Sequence, residues 1–480
     1  MTALLRRDFT LLAVLVLLQA GTLVWLGGAF DFRLAAVTVI GLLLAATVLP
    51  AAGSHALAGL RVLFHRLTWW QWLWALLFLS DLTFRERDVQ SVMDSPLDAW
   101  ALYRVSLVGV AGIVLLWRVV TRRGYWVRPL FSGMVLIMAA FPLMGLFSTA
   151  WSVYPAWTLY KSVELLIDLS VLAAAVASAG TAGDLKDLFD WNWLLLACLQ
   201  ATVWLGALIW PQQALLRGVG ALGVQLIGVF PSISSNGVGH IAAMLCVVAL
   251  ARLLDHRAPR GRVLLYSLVF LSSAATLVFS QTRSALGAFA AGAALVLLLS
   301  RRTGLIATVT LAGVILLTAS TFESAFLTYF RRGQDAELLE SFSGRVGWWR
   351  FAWARLMEQP WIGYGAFAGG RFASLAAMGD QLTSSLHNTY LEALLGIGVV
   401  GLTPVVACLT GVWWQLVKAL CSWTSTAFER SIHLEAVGVL MVITVRSFFT
   451  TDLIWHPALS WFLVLGYAEL LRRQRRTEVV

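Results

Sequence analysis

The chain has 480 residues, of which 59% are hydrophobic and only 12% are charged, and its mean hydropathy is +0.80. Ordinary soluble domains carry about 25% charged residues, so this composition excludes a water-soluble globular protein. The formal net charge of +10 comes without a soluble basic domain. We therefore assign it to membrane orientation and to contact with anionic membrane lipids, not to nucleic acid.

Apolar runs of roughly 17–25 residues recur along the chain, and a helix of that length crosses a ~30 Å hydrocarbon core. They predict an all-α polytopic membrane protein with about 12–14 transmembrane helices. The first run follows Arg6-Arg7 without a convincing cleavage site, so we interpret it as a retained anchor. The predicted spans are residues 9–28, 34–52, 68–82, 100–118, 129–147, 158–178, 191–210, 236–252, 263–282, 284–300, 304–321, 389–417, 434–450 and 457–471.

The four cysteines lack the CxxC spacing of a metal site or a redox motif. Three of them, Cys198, Cys246 and Cys408, lie within apolar runs, where cysteine commonly packs as a small hydrophobic residue. The fourth, Cys421, directly follows such a run. We predict neither a disulfide framework nor a cysteine-bound metal.

Arginine and lysine are distributed unevenly between the two membrane faces. Placing Arg6-Arg7 in the cytoplasm and alternating the spans puts most basic residues in cytoplasmic segments. Residues 322–386 are the exception, because they lie on the opposite face. Their arginines are Arg331, Arg332, Arg345, Arg350, Arg355 and Arg371. We predict a single membrane domain over 1–480 with 322–386 as an extracytoplasmic insert, and a cationic face of this kind indicates an anionic, lipid-borne substrate.

Arg283 lies in a tight turn between two predicted spans, in the sequence Ser280-Gln281-Thr282-Arg283-Ser284. An arginine near the bilayer usually faces a cavity or a partner, and its planar guanidinium suits two-point contact with phosphate oxygens. The alternative is an arginine at a helix end whose charge reaches into the headgroup layer.

A helical pattern follows Gly344 and mixes apolar residues with Arg345, Arg350 and Arg355. It predicts an amphipathic helix with one solvated face, and the amino terminus of such a helix favours anions. The alternative is an interfacial helix with solvated arginines. Pro360 to Gly365, in the sequence Pro-Trp-Ile-Gly-Tyr-Gly, end the helical pattern.

His387 and Asn388 directly precede the predicted span 389–417. Imidazole can accept a proton near neutral pH, so His387 is a candidate general base for a hydroxyl. Asn388 is a candidate ligand for a sugar or an amide, and the alternative for both residues is a helix cap. His240 and His456 are weaker candidates near the same face, and Lys161 is a candidate for additional positive charge there. This face lacks HExxH, DxD and paired carboxylates, so we predict no metal and no cofactor.

Several stretches, in this order, resemble the O-antigen ligase and O-antigen polymerase superfamily, which includes exopolysaccharide polymerases. They are Ser280-Gln281-Thr282-Arg283, Gly344-Arg345 with Trp348 or Trp349, Pro360 to Gly365, His387-Asn388-Thr389-Tyr390-Leu391, and Gly396 to Leu402. Trp151-Ser152 through Lys161 and Ser235-Asn236 resemble upstream features of the same family. The resemblance covers about residues 150–415.

The resemblance implies a GT-C-like glycosyltransferase of the bacterial inner membrane that acts at the periplasmic face. The donor would be a glycan on undecaprenyl diphosphate, and the reaction would be inverting and metal-independent. By position, His387 corresponds to the family's catalytic base, and Arg283 and Arg345 correspond to its diphosphate-binding arginines. Further candidate substrate-binding residues are Lys161, Asn236, Arg350, Asn388 and Tyr390.

The resemblance leaves the acceptor open. A ligase would transfer to lipid A–core, and a polymerase would transfer to another lipid-linked glycan. An O-linked protein oligosaccharyltransferase would use a protein hydroxyl. A lipid-glycan transporter without chemistry is a further alternative, but it predicts charged residues along a path through the membrane. Few such residues, including Arg104, Asp168 and Arg446, occur in the predicted spans, so we favour an enzyme.

Overall fold

The computed structural model describes residues 68–82, 87–121, 124–179, 181–217, 222–255, 260–300, 329, 331, 344–421 and 426–478. The predicted spans 9–28, 34–52 and 304–321, and most of the stretch 322–343 that begins the predicted insert, lie outside these residues. The remaining predicted spans and the segment that carries His387 lie within the described residues.

Helices dominate the described residues. In chain order they are α1 (Trp69–Asp81), α2 (Val89–Asp94), α3 (Ala99–Val120), a 3₁₀ helix (Gly124–Phe131), α4 (Gly133–Ser148), α5 (Pro155–Ser178), α6 (Ala182–Ile209), α7 (Pro211–Ala214), α8 (Ser235–Leu253), α9 (Arg260–Ser280), α10 (Arg283–Leu299), α11 (Arg345–Glu358), a π helix (Gly369–Leu375), α12 (Ala376–Met378), α13 (Thr389–Leu420), α14 (Ala427–Arg446) and α15 (Leu459–Glu478). Two antiparallel hairpins lie between α7 and α8, and their strands are β1 (Leu215–Arg217), β2 (Val224–Leu226), β3 (Gly228–Val229) and β4 (Ser232–Ile233).

Each predicted span that falls in the described residues coincides with helical structure. Within those residues, five helices are long and apolar enough to cross a membrane, namely α3, α8, α13 and most of α6 and α9. The all-α polytopic class is thus confirmed. The predicted span 129–147 differs from expectation, because it consists of the 3₁₀ helix and α4, which meet at 83°. Gly133 has a φ of +65° at this bend, and a Cβ there would collide with Glu469 and Arg472.

The core forms where α5, α8 and α15 pack among the other helices. Along α5, the run Val171 to Val176 is buried on every side, and its alanines permit close helix approach. The run Phe462 to Leu465 of α15 is equally buried. By contrast, α3 and α9 expose most of their apolar surface, as expected of helices that face lipid.

A break in α13 receives the segment that precedes the predicted site. The backbone is non-helical at Ile397 and Gly398, and this frees carbonyl groups that the segment then binds. The amides of Tyr364 and Gly365 each donate at 2.8 Å, to the carbonyls of Leu395 and Gly396 respectively. The Pro-Trp-Ile-Gly-Tyr-Gly stretch is therefore a docking segment for the broken helix, and it holds residues 344–388 against the membrane helices.

Substitution of Gly398 by alanine is expected to destabilise this docking. Gly398 has a φ of 66° and a ψ of −162°, a region open essentially to glycine alone, and a Cβ would lie 2.1 Å from the Trp361 carbonyl carbon. The backbone cost alone is about 1–3 kcal/mol. Thermal unfolding in detergent should show a lower midpoint. Gly287→Ala is the matched control, because a Cβ at this helical position meets no atom within 4 Å. It should leave the midpoint unchanged or raise it, and an equal loss in both variants would contradict the docking argument.

Candidate active site

His387 lies in a strained turn directly before α13. Its φ of 52° is in the left-handed region, which residues other than glycine adopt rarely and at a cost, often at functional sites. Its ring lies 6.2 Å, centroid to centroid, from the Trp348 indole of α11. The side chain is half-buried, so the imidazole is sheltered by α11 without being sealed from ligands.

Two neighbouring side chains hold the backbone on either side of His387. The Asn388 Oδ1 accepts hydrogen bonds at 3.0 Å from the amides of Tyr390 and Leu391, so Asn388 is the cap of α13. The buried Glu392 Oε1 accepts from the Leu386 amide at 2.6 Å. Asn388 is therefore the residue that caps the helix. The His387 ring does not form the cap, which leaves it a candidate general base.

Arg345 is the first residue of α11, and its helix follows Gly344, which has a φ of 84°. The Arg345 Nη1 donates to the Phe449 carbonyl at 3.3 Å. Burial, followed by the nearby charges of Arg446 and Arg283, lowers the pKa of Arg345 to about 10. Arg345 thus lies within electrostatic range of two other arginines and remains protonated at neutral pH.

The end of α14 and the turn that follows it contribute a third arginine, Arg446, and a carboxylate, Asp452, to the surroundings of His387 and Arg345. The Arg446 Nε donates to Asp452 Oδ2 at 3.2 Å, and the same carboxylate oxygen lies 3.5 Å from the His240 Nδ1. Arg446 is 3% exposed, and its Nη1 has no hydrogen-bond partner in the described part of the chain. Burial tends to raise the pKa of the Asp452 carboxyl, but His240 and Arg446 hold it below its usual value.

The amino terminus of α13 is fastened to the same turn. The Thr389 amide donates to the Ser447 carbonyl at 2.9 Å, and the Thr389 hydroxyl donates to the Thr450 carbonyl at 2.8 Å. The Tyr390 hydroxyl lies 2.8 Å from the Ser447 Oγ. Tyr390 therefore helps to place His387 beside Arg446 through this contact.

Arg283 enters from the start of α10. The preceding Thr282 donates its hydroxyl to the Ser235 carbonyl at 2.8 Å, which ties this turn to the first turn of α8. Asn236, half-buried, lies in that first turn. Arg283 and Asn236 are thus on joined turns, and the charge of Arg283 lowers the pKa of Arg345 less than that of Arg446 does.

The structure places Lys161 and Arg350 elsewhere. The Lys161 Nζ lies 2.5 Å from Glu164 Oε2, is 2% exposed and lines a separate cavity. Arg350 is exposed and follows Arg345 by five positions on α11, so the two project from different faces. Of the two weaker histidine candidates, His240 contacts Asp452, the partner of Arg446, whereas His456 forms hydrogen bonds with Asp168 and Ser80.

Sequence reasoning missed Asp452 and Glu392 and treated Arg446 only as a charge within a span. An arginine at a span end was a usable signal, because such residues usually face a cavity or a partner. The contacts of Asp452 and Glu392 depend on turns whose geometry has no local sequence signature. Among the described residues, no group of three or more His, Cys, Asp or Glu side chains could hold a metal ion.

The electrostatics of His387 predict its pH behaviour. Burial, and then the charges of Arg345 and Arg446, lower the pKa of His387 to about 4. The imidazole is therefore neutral at pH 7 and able to accept a proton. If it acts as the base, kcat/KM should stay level as pH falls from 8 to about 5 and drop only near pH 4, because kcat/KM reports the free enzyme.

The measurement is a pH–rate profile on protein whose folding is checked at each pH. Arg345→Gln removes one of the charges that lower the pKa, so it should move the acid limb upward, towards 6.5. An acid limb at the same pH in both proteins would contradict the electrostatic coupling of these two residues.

Comparison with known proteins identifies a similar family. Residues 267–406 match the family model described as O-antigen ligase. The matched region contains Arg283, Arg345 and His387 and ends before Arg446 and Asp452. No curated protein matches the chain. Over residues 267–406, the chain is therefore similar to the O-antigen ligase family, in agreement with the resemblance predicted from its motifs.

Proposed function

We propose that this protein is a bacterial inner-membrane glycosyltransferase. In this proposal it transfers a glycan from an undecaprenyl diphosphate donor to an acceptor hydroxyl at the periplasmic face. The observation that carries the proposal is a neutral, sheltered imidazole within electrostatic range of Arg345 and Arg446, with Arg283 in turn within range of Arg345. Such a site offers one proton acceptor and several cations, which glycosyl transfer from a diphosphate requires.

The reaction needs one bond to form and one to break at the anomeric carbon. His387 takes the proton of the acceptor hydroxyl, and that oxygen attacks the anomeric carbon from the side opposite the leaving group. The bond between the anomeric carbon and the diphosphate oxygen breaks, and its electron pair leaves with the diphosphate. Attack from the opposite side inverts the configuration of the sugar.

The arginines stabilise the charge that gathers on the departing diphosphate. Arg345 and Arg283 are the binding arginines, and Arg446 supplies a buried N–H group that Asp452 does not use. Preorganised cations act most strongly where water is excluded. A bound diphosphate also offsets the positive charges that lower the pKa of His387, so the imidazole becomes a stronger base when the donor is in place.

The alternatives differ in the acceptor or in the absence of chemistry. A ligase uses lipid A–core, a polymerase uses a second lipid-linked glycan, and a protein oligosaccharyltransferase uses a serine or threonine hydroxyl. A lipid-glycan transporter moves the donor without breaking a bond. Some buried charges inside the helices are consistent with a path, but they are paired, as Lys161 is with Glu164 and His456 with Asp168.

The decisive experiment mixes purified protein in nanodiscs with undecaprenyl-diphosphate glycan and each acceptor class separately. We expect a transfer product with lipid A–core or with the second lipid-linked glycan, and we expect EDTA to leave the rate unchanged. A product only with the peptide acceptor would indicate the oligosaccharyltransferase. Movement of intact donor across liposomes without any product would overturn the proposal.

A further inference from the structure

A second cavity, of about 390 Å³, opens beside the amino-terminal ends of α3 and α5. It is separate from the His387 cluster but adjoins it, since Ser384 and Trp455 contribute to its wall. Ser384 precedes His387 by three residues, and Trp455 follows Asp452 by three. A chain-like ligand could therefore occupy both places at once.

The wall of this cavity is strongly cationic. Among the described residues it includes Arg87, Arg104, Lys161 and Arg371, against one lining carboxylate, Asp98. Arg104 and Lys161 share the buried Glu164 behind the wall, at 3.3 Å and 2.5 Å respectively, and Arg87 lies 3.6 Å from Asp98. The described lining side chains themselves carry more positive than negative charge, whereas Glu164 and the nearby Asp81 and Asp88 offset Arg104, Lys161 and Arg371 from outside the lining.

Arg371 differs from the other three cations of the wall, because it forms no ion pair with a carboxylate among the described residues. It is 5% exposed, and its Nη2 donates to the backbone carbonyl of Arg87. Its Nε has no hydrogen-bond partner among the described residues. Glu392 lies within electrostatic range, but that carboxylate accepts from the Leu386 amide. A buried, unsatisfied guanidinium N–H costs free energy unless a ligand accepts from it.

Five aromatic residues also line the cavity, and they are Trp100, Tyr154, Trp157, Tyr160 and Trp455. The Arg371 guanidinium stacks over the Trp157 ring, 5.3 Å from its centroid. The negative face of an aromatic ring attracts the slightly positive C–H groups on the flat side of a pyranose. Flat rings with a few fixed polar groups form a pocket that selects for shape and for charge.

We propose that this cavity binds an anionic sugar residue, one that carries a carboxylate or a phosphate. The residue belongs to the glycan chain whose end reacts at His387, and in this respect the inference rests on the proposed function. The Arg371 fork contacts the anionic group, and Trp100 and Trp157 contact the sugar ring. The residue comes from the acceptor glycan or from the donor glycan, and both present the same chemistry to this wall.

Binding can be tested without any transfer, which separates this inference from the proposed function. One probe is a tetrasaccharide in which glucuronate alternates with a neutral sugar, and the other is its carboxyl-reduced, neutral counterpart. The full-length protein is in nanodiscs. Saturation-transfer NMR reports the affinity of each. We expect the acidic tetrasaccharide to bind at least 10-fold more tightly than the reduced one. We also expect Arg371→Gln to weaken the acidic probe about 10–100-fold, the range of a lost hydrogen bond to a charged group.

Trp100→Ala is the second variant, because Trp100 is only half-buried and its replacement endangers folding less. It should lower the affinity for both probes, whereas His387→Ala should bind the acidic probe with the affinity of the unaltered protein. Size-exclusion chromatography checks folding in each case. Equal affinity for the acidic and reduced probes, or unchanged binding in folded Arg371→Gln, would overturn the proposal. In a transfer assay, Arg371→Gln should raise the KM of the acceptor or of the donor, which identifies the source of the anionic residue.

Discussion

Replacement of His387 by alanine is expected to lower glycan transfer by about 100–10,000-fold, the usual contribution of a general acid–base group. Binding of the proposed undecaprenyl-diphosphate donor should be retained, because the arginines proposed to hold the diphosphate are unchanged. The loss should therefore appear in kcat and not in the donor KM. The measurement is steady-state transfer by purified protein, with donor binding followed separately by the same NMR method.

The structure supplies a control for this variant. Gln381 is exposed in the same segment, and the hydrogen bond that its backbone carbonyl accepts from the Val89 amide at 2.8 Å does not involve the side chain. Gln381→Ala should therefore transfer at the rate of the unaltered protein. If folded His387→Ala also transfers at that rate, the base is another group, and the strained backbone of His387 serves only the shape of the turn.

The membrane fold was largely predictable because hydrocarbon imposes one simple requirement on each span. Every backbone polar group must be paired within the segment, so an apolar run of sufficient length becomes a helix. Helix ends were less predictable. For example, α14 begins at Ala427 and not near 434, because Thr426 and Glu429 form a capping box. That signal was present in the sequence, whereas the bend at Gly133 depends on contact with α15.

The glycine-rich motifs could be recognised in the sequence but not explained by it. Gly363 and Gly398 serve backbone contact, since a Cβ on either would collide with main-chain atoms of the facing segment. Gly365 leaves room mainly for the Ser152 side chain, whose Oγ would lie 2.1 Å from a Cβ at this position. The Trp151-Ser152 stretch likewise bonds to this segment, through the Trp151 Nε1 and the Ile362 carbonyl at 3.1 Å. These motifs build the support of the site and do not themselves supply a proton acceptor or a cation.

The candidate site was predictable in part, for reasons that differ by residue. His387, Arg283 and Arg345 were predicted from residue chemistry and family motifs, and the structure groups them, although their roles stay predictions. Arg446 and Asp452 join them through a turn at the other end of the chain, and such long-range contacts leave no local pattern. Lys161 was expected near the same cavity, but its acidic partner three residues later, Glu164, was a visible sign of pairing.

Substitution of Arg345 by glutamine is expected to lower kcat by about 100–1,000-fold, by analogy with removal of one preorganised donor from a charge-stabilising site. The half-buried Arg345 lies within electrostatic range of Arg446 and Arg283, so its loss reduces the positive charge that receives the departing diphosphate in the proposed reaction. Arg345→Lys keeps the charge but loses the planar fork, so its kcat should lie between those of the unaltered protein and Arg345→Gln.

Arg350→Gln provides the matched comparison on the same helix. It removes the same charge from an exposed position, where solvent screens it and no contact with the cluster is lost. Its effect on kcat should therefore be at least 10-fold smaller than that of Arg345→Gln. Both variants are compared at saturating donor and acceptor, so that kcat reports the bound complex. Equal losses in the two would show that α11 acts through its overall charge, and the assignment of leaving-group stabilisation to Arg345 would then be wrong.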